Sequence, residues 1–256
     1  QGQLNGMNTW KKVILQKTNA VTVLRSGHQA LAEIEGLRGI AVRGMLFNYL
    51  IFFVVTLALN GLFYYQVLSP FINWLFGGGD GFWAVVKSVV LWSIQLTVAA
   101  VFALIALRIS FELLSLWHQS LVLRIIKHFR QIEEPDSSFK AWLANIKNIL
   151  KETLKACLFP IILLFFGLIP VIGPLIVFAL ASHLLGRESI VVYLDSLTDP
   201  EEAAELRRSW RWLPVLIGWL PTMLAFIPFI GWFFLPLMQT YEVIGFAYIV
   251  EKSRNS

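Results

Sequence analysis

The 256 residues are 57% hydrophobic and only 14% charged, with 20 Phe, 10 Trp and 6 Tyr, whereas an ordinary soluble domain is about 25% charged. With a mean hydropathy of +0.68, this balance excludes a disordered chain, a disulfide-stapled miniprotein and most soluble enzymes, and points to a protein whose solvent is largely lipid. In such a chain the net charge of +5 marks basic cytoplasmic loops rather than nucleic-acid affinity, and the single Cys157 excludes an intramolecular disulfide.

Gln1 to Gly6 reads as an expression scar, with Met7 as the native start. Met7 to Glu35 is polar and mixed in charge, so membrane insertion is expected to depend on the later apolar blocks. Gly44 to Gly79 runs without a charge. Its apolar part, Met45 to Leu68, is ~24 residues or ~36 Å of helix, against a hydrocarbon core of ~30 Å. Ser88 to Leu107 is a second uncharged run, and its helical pattern continues past Arg108 to about Arg130. Two long helices are therefore expected, over about 44–76 and 82–130. The glycine turn Gly77–Gly81 joins them, with Trp74, Trp83 and Trp92 near the headgroup boundary.

Beyond a turn at Glu133–Ser138, the residues Phe139, Trp142, Leu143, Ile146, Ile149 and Leu150 recur at helical spacing, with Lys140, Lys147 and Lys151 opposite. This amphipathic helix suits either the membrane surface or a packed position in a water-soluble part. Ala156–Gly186 and Trp212–Tyr241 then contain no Lys, Arg, Asp or Glu, and similar phrases break them: Ile169-Pro170-Val171-Ile172-Gly173-Pro174 and Ile227-Pro228-Phe229-Ile230-Gly231. Each block is either one kinked span or a re-entrant hairpin. The arms ahead of the breaks, Ala156–Ile169 and Leu213–Ile227, would be ~21 and ~22 Å long, short of the core, which favours hairpins over about 153–195 and 212–250.

Charge bias agrees. The segments before Met45 and after Leu107 are basic, so the N-terminus is expected in the cytoplasm and the glycine turn outside. Hairpins keep Arg187, Arg207, Arg208 and Arg211 on the basic side, whereas single spans would place them outside. The fold class expected is thus an all-α integral membrane protein. It has two long transmembrane helices, two partly penetrating helical hairpins and amphipathic surface helices, in one domain over 7–256.

No metal-ligand, nucleophile-elbow or P-loop pattern is present, and His28, His118, His128 and His183 are scattered. No enzyme, cofactor or metal is expected. The strongest binding feature is Gly36-Leu37-Arg38-Gly39, followed by Arg43, just ahead of the first long helix. Glycines free backbone amides, a helix start adds partial positive charge and a guanidinium a full one, which together form an oxyanion site. The bland alternative is a glycine turn with a positive-inside arginine. Arg108 and Glu112 share a face at the inner end of the second helix, as a polar path at membrane depth or an interfacial ion pair. Glu242 is either intramembrane or interfacial, and His183, Arg187 and Glu188 raise the same question. The tips Pro170, Gly173, Pro174, Pro228 and Gly231 free backbone groups that must be buried in protein or line a wet cavity.

Taken in order, Gly36-Leu37-Arg38 before the first long helix, two long helices with a short outer turn, and two central Ile-Pro-x-Ile-Gly phrases resemble the CysZ/etoposide-induced-protein family of sulfate permeases. Tyr193-Leu194-Asp195 followed by Arg207, Arg208 and Arg211 adds to the likeness, which covers most of the chain after about Val23. Two places depart from the family pattern: Gly39 stands where a second arginine is common, and Ser115–Ser120 replaces a Pro-Phe-Asn phrase. The resemblance implies two spanning helices, two partly penetrating hairpins and a homo-oligomer. It also implies sulfate or a related oxyanion held at the Gly-Leu-Arg segment, with uptake feeding cysteine biosynthesis. The expected setting is a bacterial inner membrane, with lipids as the surroundings, no nucleic-acid partner and both termini cytoplasmic. A non-transporting scaffold or lipid-interacting protein on the same fold is the alternative.

Overall fold

The computed structural model describes residues 9–76, 81–130, 172–197, 199–225, 227 and 230–255. The described residues are helical almost throughout. α1 (Thr9–Lys17) and α2 (Ala20–Glu33) are short. Asn19 separates them. Its side-chain oxygen accepts from Thr22 N at 3.0 Å while Thr22 Oγ1 accepts from Asn19 N at 2.9 Å, a reciprocal cap that starts α2. Ala20, Val23, Gly27 and Ala30 then form its buried face.

α3 (Leu37–Phe63) begins seven positions ahead of the expected residue 44, straight after Gly36. Hydropathy marks where lipid begins, whereas the glycine turn marks where the helix begins. Leu37, Ala41, Gly44, Asn48, Phe52 and Thr56 face inward, and Leu46, Leu50 and Leu57 on the other side are exposed to the surrounding medium. A π-helical turn, Tyr64–Leu68, leads into α4 (Ser69–Phe76). Pro70 supplies a cause: it has no N–H and its ring crowds the carbonyl four residues back, which a locally widened helix accommodates. α5 (Phe82–Leu113) follows. Its 32 residues correspond to ~48 Å of helix. The single helix expected to Arg130 is instead interrupted at Leu114, after which α6 (Ser115–Arg130) continues.

α7 (Ile172–Asp195), α8 (Pro200–Ser209), α9 (Leu213–Ala225) and α10 (Ile230–Arg254) complete the described chain. The glycine turn at 77–80, the amphipathic helix expected over 139–151 and the first arm of the first hairpin lie outside the described residues. α8 opens on Asp199, whose carboxylate accepts from Glu201 N at 2.9 Å, with Pro200 in the first turn. α9 has 13 residues, or ~20 Å, too short to cross ~30 Å of hydrocarbon.

Two cores organise these helices. The larger joins Ile14 of α1, Val23 of α2, Leu37 of α3, Ile125 of α6, Tyr193 of α7, Trp210 after α8, Leu213 of α9 and Phe246 of α10. Every one of those segments therefore has one end in a common base. The smaller core joins Phe52, Leu107, Leu185, Ala225 and Leu235 further along α3. Ion pairs bind the base: Lys11 with Glu205, Arg254 with Glu202, and Arg130 with Glu251. The Arg187–Arg211 stretch thus packs at the same end as the N-terminal helices, as hairpin topology requires.

The hairpin made by α9 and α10 is closed at its tip by Gly231, whose N–H donates to Ile227 O at 2.9 Å. A Cβ there would fall 1.7 Å from Leu224 O, so only glycine fits. α7 and α9 run antiparallel in contact of the same closeness. A Cβ on Gly186 would lie 2.0 Å from Pro214 O, and one on Gly218 2.0 Å from Ser182 O. Small residues four apart on both helices let the backbones touch, the packing that membrane helices favour. The tip sits beside the middle of α3, since Tyr49 donates to Phe233 O at 2.7 Å. From Phe53 to Phe76 the rod continues for ~36 Å beyond it.

Candidate functional site

The Gly36 turn is built by three elements. α2 ends at Ile34, which accepts from Leu37 N at 3.2 Å. Gly36 takes φ 77°, and α3 starts beside it. From α6, Arg124 Nη2 donates to Glu35 O at 3.2 Å, and a Cβ on Gly36 would come within 2.8 Å of the same nitrogen. The guanidinium therefore lies against the glycine at the positive end of α3. Arg38 and Gly39 are exposed, and nothing stands within 4 Å of the Cβ position of Gly39. Their N–H groups belong to the first turn and have no intrahelical acceptor. Leu37 contributes less than expected: its side chain is fully buried and its N–H is engaged by Ile34.

Arg43 is exposed but lies five residues after Arg38, ~140° around the helix, so the two arginines do not converge. Arg43 instead shares a face with Gly39, four residues before it. The arginine that joins this turn is Arg124, one of the residues that make the segment after Leu107 basic. It stands in α6, far along the chain from Gly36, and no local spacing links the two.

A second polar group lies inside the helices. Asn48 of α3 donates through Nδ2 to Gln239 Oε1 at 3.2 Å and to Pro236 O at 3.3 Å. Gln239 Nε2 donates to Glu188 Oε2 at 2.8 Å. Glu242, one turn from Gln239, is 2% exposed, and Glu188 is near enough for the two charges to repel. Glu242 Oε1 and Asn48 Oδ1 are buried without a hydrogen-bond partner. Glu242 is thus enclosed by protein. Asn48 and Gln239 were not singled out from sequence, because amides in an apolar run carry no spacing signature. These carboxylates and amides form a buried polar cluster held by α3, α7 and α10 in apolar surroundings.

Of the remaining expected residues, Arg108 and Glu112 both lie in α5, one turn apart. Gly173 and Pro174 fall in the first turn of α7. Pro170 and Pro228 lie outside the described residues. In the base, His118 of α6 is buried and stacked on Phe111 at 4.6 Å, and burial pulls its imidazole down to about 4. Among the described residues no group of three or more His, Cys, Asp or Glu could hold a metal ion.

By length and composition, Leu37–Phe71, Leu175–Asp195 and Phe233–Arg254 could each cross a bilayer, and Leu213–Ala225 is a shorter apolar helix. Their burial separates them: the most apolar stretch of the first is 17% buried, that of the last 72%. α3 faces lipid, while much of α10 is enclosed by protein. The fold is that of an all-α integral membrane protein, with three long apolar helices, a shorter apolar helix that pairs with α10 in a hairpin, and a polar base. The chain belongs to the sulfate transporter CysZ/etoposide-induced protein 2.4 family, whose profile matches residues 24–236. Comparison with curated proteins and with solved structures found no match.

Proposed function

We propose that the protein is an oxyanion permease or channel that takes up sulfate for cysteine biosynthesis across a bacterial inner membrane. Both termini would be cytoplasmic and several copies would assemble. Family membership supports the transporter class and an oxyanion as its substrate. The observation that carries the reading is the Gly36 turn, where two free amides, a helix start and the Arg124 guanidinium meet. Arg38 adds a second, exposed charge. A tetrahedral dianion is bound there by charge-assisted hydrogen bonds. The site stays open to water on the Gly39 side, so the ion is held loosely enough to leave, as conduction demands. The buried Asn48–Gln239–Glu188–Glu242 group lies along α3 from this turn and would line the way inward.

Flux of labelled sulfate into proteoliposomes tests this. Arg38→Ala and Arg124→Ala are each expected to lower sulfate binding and flux about tenfold, the loss of roughly one charged hydrogen bond. Arg124→Lys, which keeps the charge but not the fork, is expected to recover part of the loss. Unchanged flux and binding in all three variants would remove the assignment. Loss of sulfate binding by the unaltered protein, with firm co-purification of lipid, would favour a lipid-interacting role instead.

A further inference from the structure

The side of α9 turned away from α7 is an apolar stripe with a cationic head. Trp212, just ahead of the helix, Leu216 and Met223 fall within about 40° of one another around its axis, and all three are exposed, Trp212 by 73%. On the opposite side Ile217 is part of the larger core, and Pro214 and Gly218 pack against α7. Arg208, in the last turn of α8, and Arg211 stand ahead of the stripe, and the Arg211 guanidinium lies over the Trp212 ring at 5.8 Å. Both arginines are exposed, and neither has an ion pair or hydrogen bond among the described residues. The nearby carboxylates are engaged elsewhere: Asp195 with Arg207 at 3.6 Å, Glu202 with Arg254, Glu205 with Lys11, and Asp199 as the cap of α8. Glu201 stands in the first turn of α8, ~10 Å of helix before Arg208 and so about one screening length away.

Polarity and helix length place this head at the edge of the membrane. α8 is polar and belongs to the base, whereas α9 is apolar from Leu213 on. Arg211 and Trp212 therefore mark the passage from water to hydrocarbon, where arginine and tryptophan meet lipid headgroups. From there α9 reaches ~20 Å inward, the depth of one leaflet with its headgroups, so the stripe is as long as a lipid is deep. Unpaired cations at headgroup level attract anionic lipid. The helix start adds little of its own, because Leu213 N donates to Trp210 O at 3.1 Å and Pro214 has no N–H; the guanidinium groups must hold the headgroup. A second copy fits the face less well, since across a twofold axis it would set the same arginines opposite one another.

We propose that Arg208, Arg211 and the Trp212–Met223 stripe form a docking site for one anionic phospholipid of the leaflet on the base side. Arg208 and Arg211 are three positions apart, at most ~11 Å of chain, so both guanidinium groups reach one phosphodiester and bind it by charge-assisted hydrogen bonds. Trp212 lies at the glycerol level, and the acyl chains follow Leu216 and Met223 towards the hairpin tip. The bound lipid fastens the turn between α8 and α9 to the leaflet. The site requires the membrane placement of α9 and not the transport of sulfate.

Mass spectrometry of the intact, detergent-purified full chain tests it, with phosphatidylglycerol and phosphatidylcholine of the same acyl chains as probes. Phosphatidylglycerol is expected to add one firmly held molecule per chain, bound about fivefold or more tightly than phosphatidylcholine. The double variant Arg208→Gln/Arg211→Gln is expected to bring the two lipids within about twofold of each other, and Trp212→Ala to weaken phosphatidylglycerol about threefold. All three positions are exposed, so the melting temperature in lipid-free detergent should stay within about 2 °C. Arg43→Gln, which removes an exposed arginine near the start of α3, should leave the preference intact, and glycerol 1-phosphate, the headgroup without tails, should not displace the lipid at equal concentration. Equal binding of the two lipids, a preference that the double variant keeps, or an equal loss in Arg43→Gln would overturn the proposal. So would displacement by glycerol 1-phosphate, which would mark a site for free phosphate, or a Trp212→Ala variant that changes oligomeric state and leaves the lipid count unchanged, which would give the face to a second copy.

Discussion

At Gly36 the backbone sits at φ 77°, and the space a Cβ would need is taken by the Arg124 guanidinium. Gly36→Ala therefore meets two penalties, a left-handed backbone and a displaced arginine. Together they are expected to cost about 2 kcal/mol of stability in a detergent melt, and to weaken sulfate binding more than a similar loss of stability elsewhere. His118 gives a pH dependence of definite sign. Its folded-state pKa of about 4 lies below the ordinary 6.5, so the unfolded chain takes up the proton first. Stability is complete above pH 6.5 and is lost as pH falls towards 4, by about 3 kcal/mol at most. Melting curves between pH 7 and pH 4 should show that loss, and His118→Leu should flatten it.

Among the elements, the α7–α9 crossing is the least tolerant. Gly218→Leu drives a side chain into Ser182 O and is expected to cost more than 3 kcal/mol or to abolish recovery of folded protein, whereas Thr222→Ser, a turn further along α9, should be mild. In α10, Glu242→Gln replaces a buried carboxyl group whose Oε1 has no hydrogen-bond partner. The melting temperature is expected to hold or rise, while sulfate flux falls at least tenfold if the buried polar group lines the route; full flux in a stable variant would take Glu242 out of it. These elements also mark what could be read from sequence. The second Pro-Gly phrase announced a break because its chemistry is local, and the structure shows Gly231 pressed against Leu224 O there. Lipid-facing α3 was legible from its charge-free run, but its start was not, because Leu37–Arg43 is helix outside the apolar stretch. Arg124, Asn48 and Gln239 were invisible for another reason: each acquires its role only when α6, α3 and α10 pack against distant partners.

For the molecule as a whole, the shared base is what holds residues 187–211 beside the N-terminal helices. In a Cys157→Ser background, Asp199→Cys and Trp74→Cys are expected to react with membrane-impermeant thiol reagents from opposite sides of sealed vesicles. Labelling of both from one side would dismantle the hairpin topology and, with it, much of the physical footing of the transport reading. The base also brings the Gly36 turn and Arg124 of α6 to one end, so that the proposed anion site and the basic surface share a face. Passive flux has a limit set by charge: a dianion moving inward against about 100 mV climbs ~4.6 kcal/mol. Uptake by such a conduit would therefore run only while a steep gradient or a coupled process drives it.

The overshoot of the α3–α4 rod past the hairpin tip has one more consequence. In the far leaflet, among the described residues, a single chain offers two slender columns and little else, since α9 and α10 turn back beside Tyr49. Two columns can flank a passage but cannot encircle it. For the corridor proposed for this protein, the remaining flanks of a sulfate ion arriving from that side would fall to parts of the chain outside the described residues or to a second copy standing opposite, and in the latter case each subunit would contribute an open half of the passage.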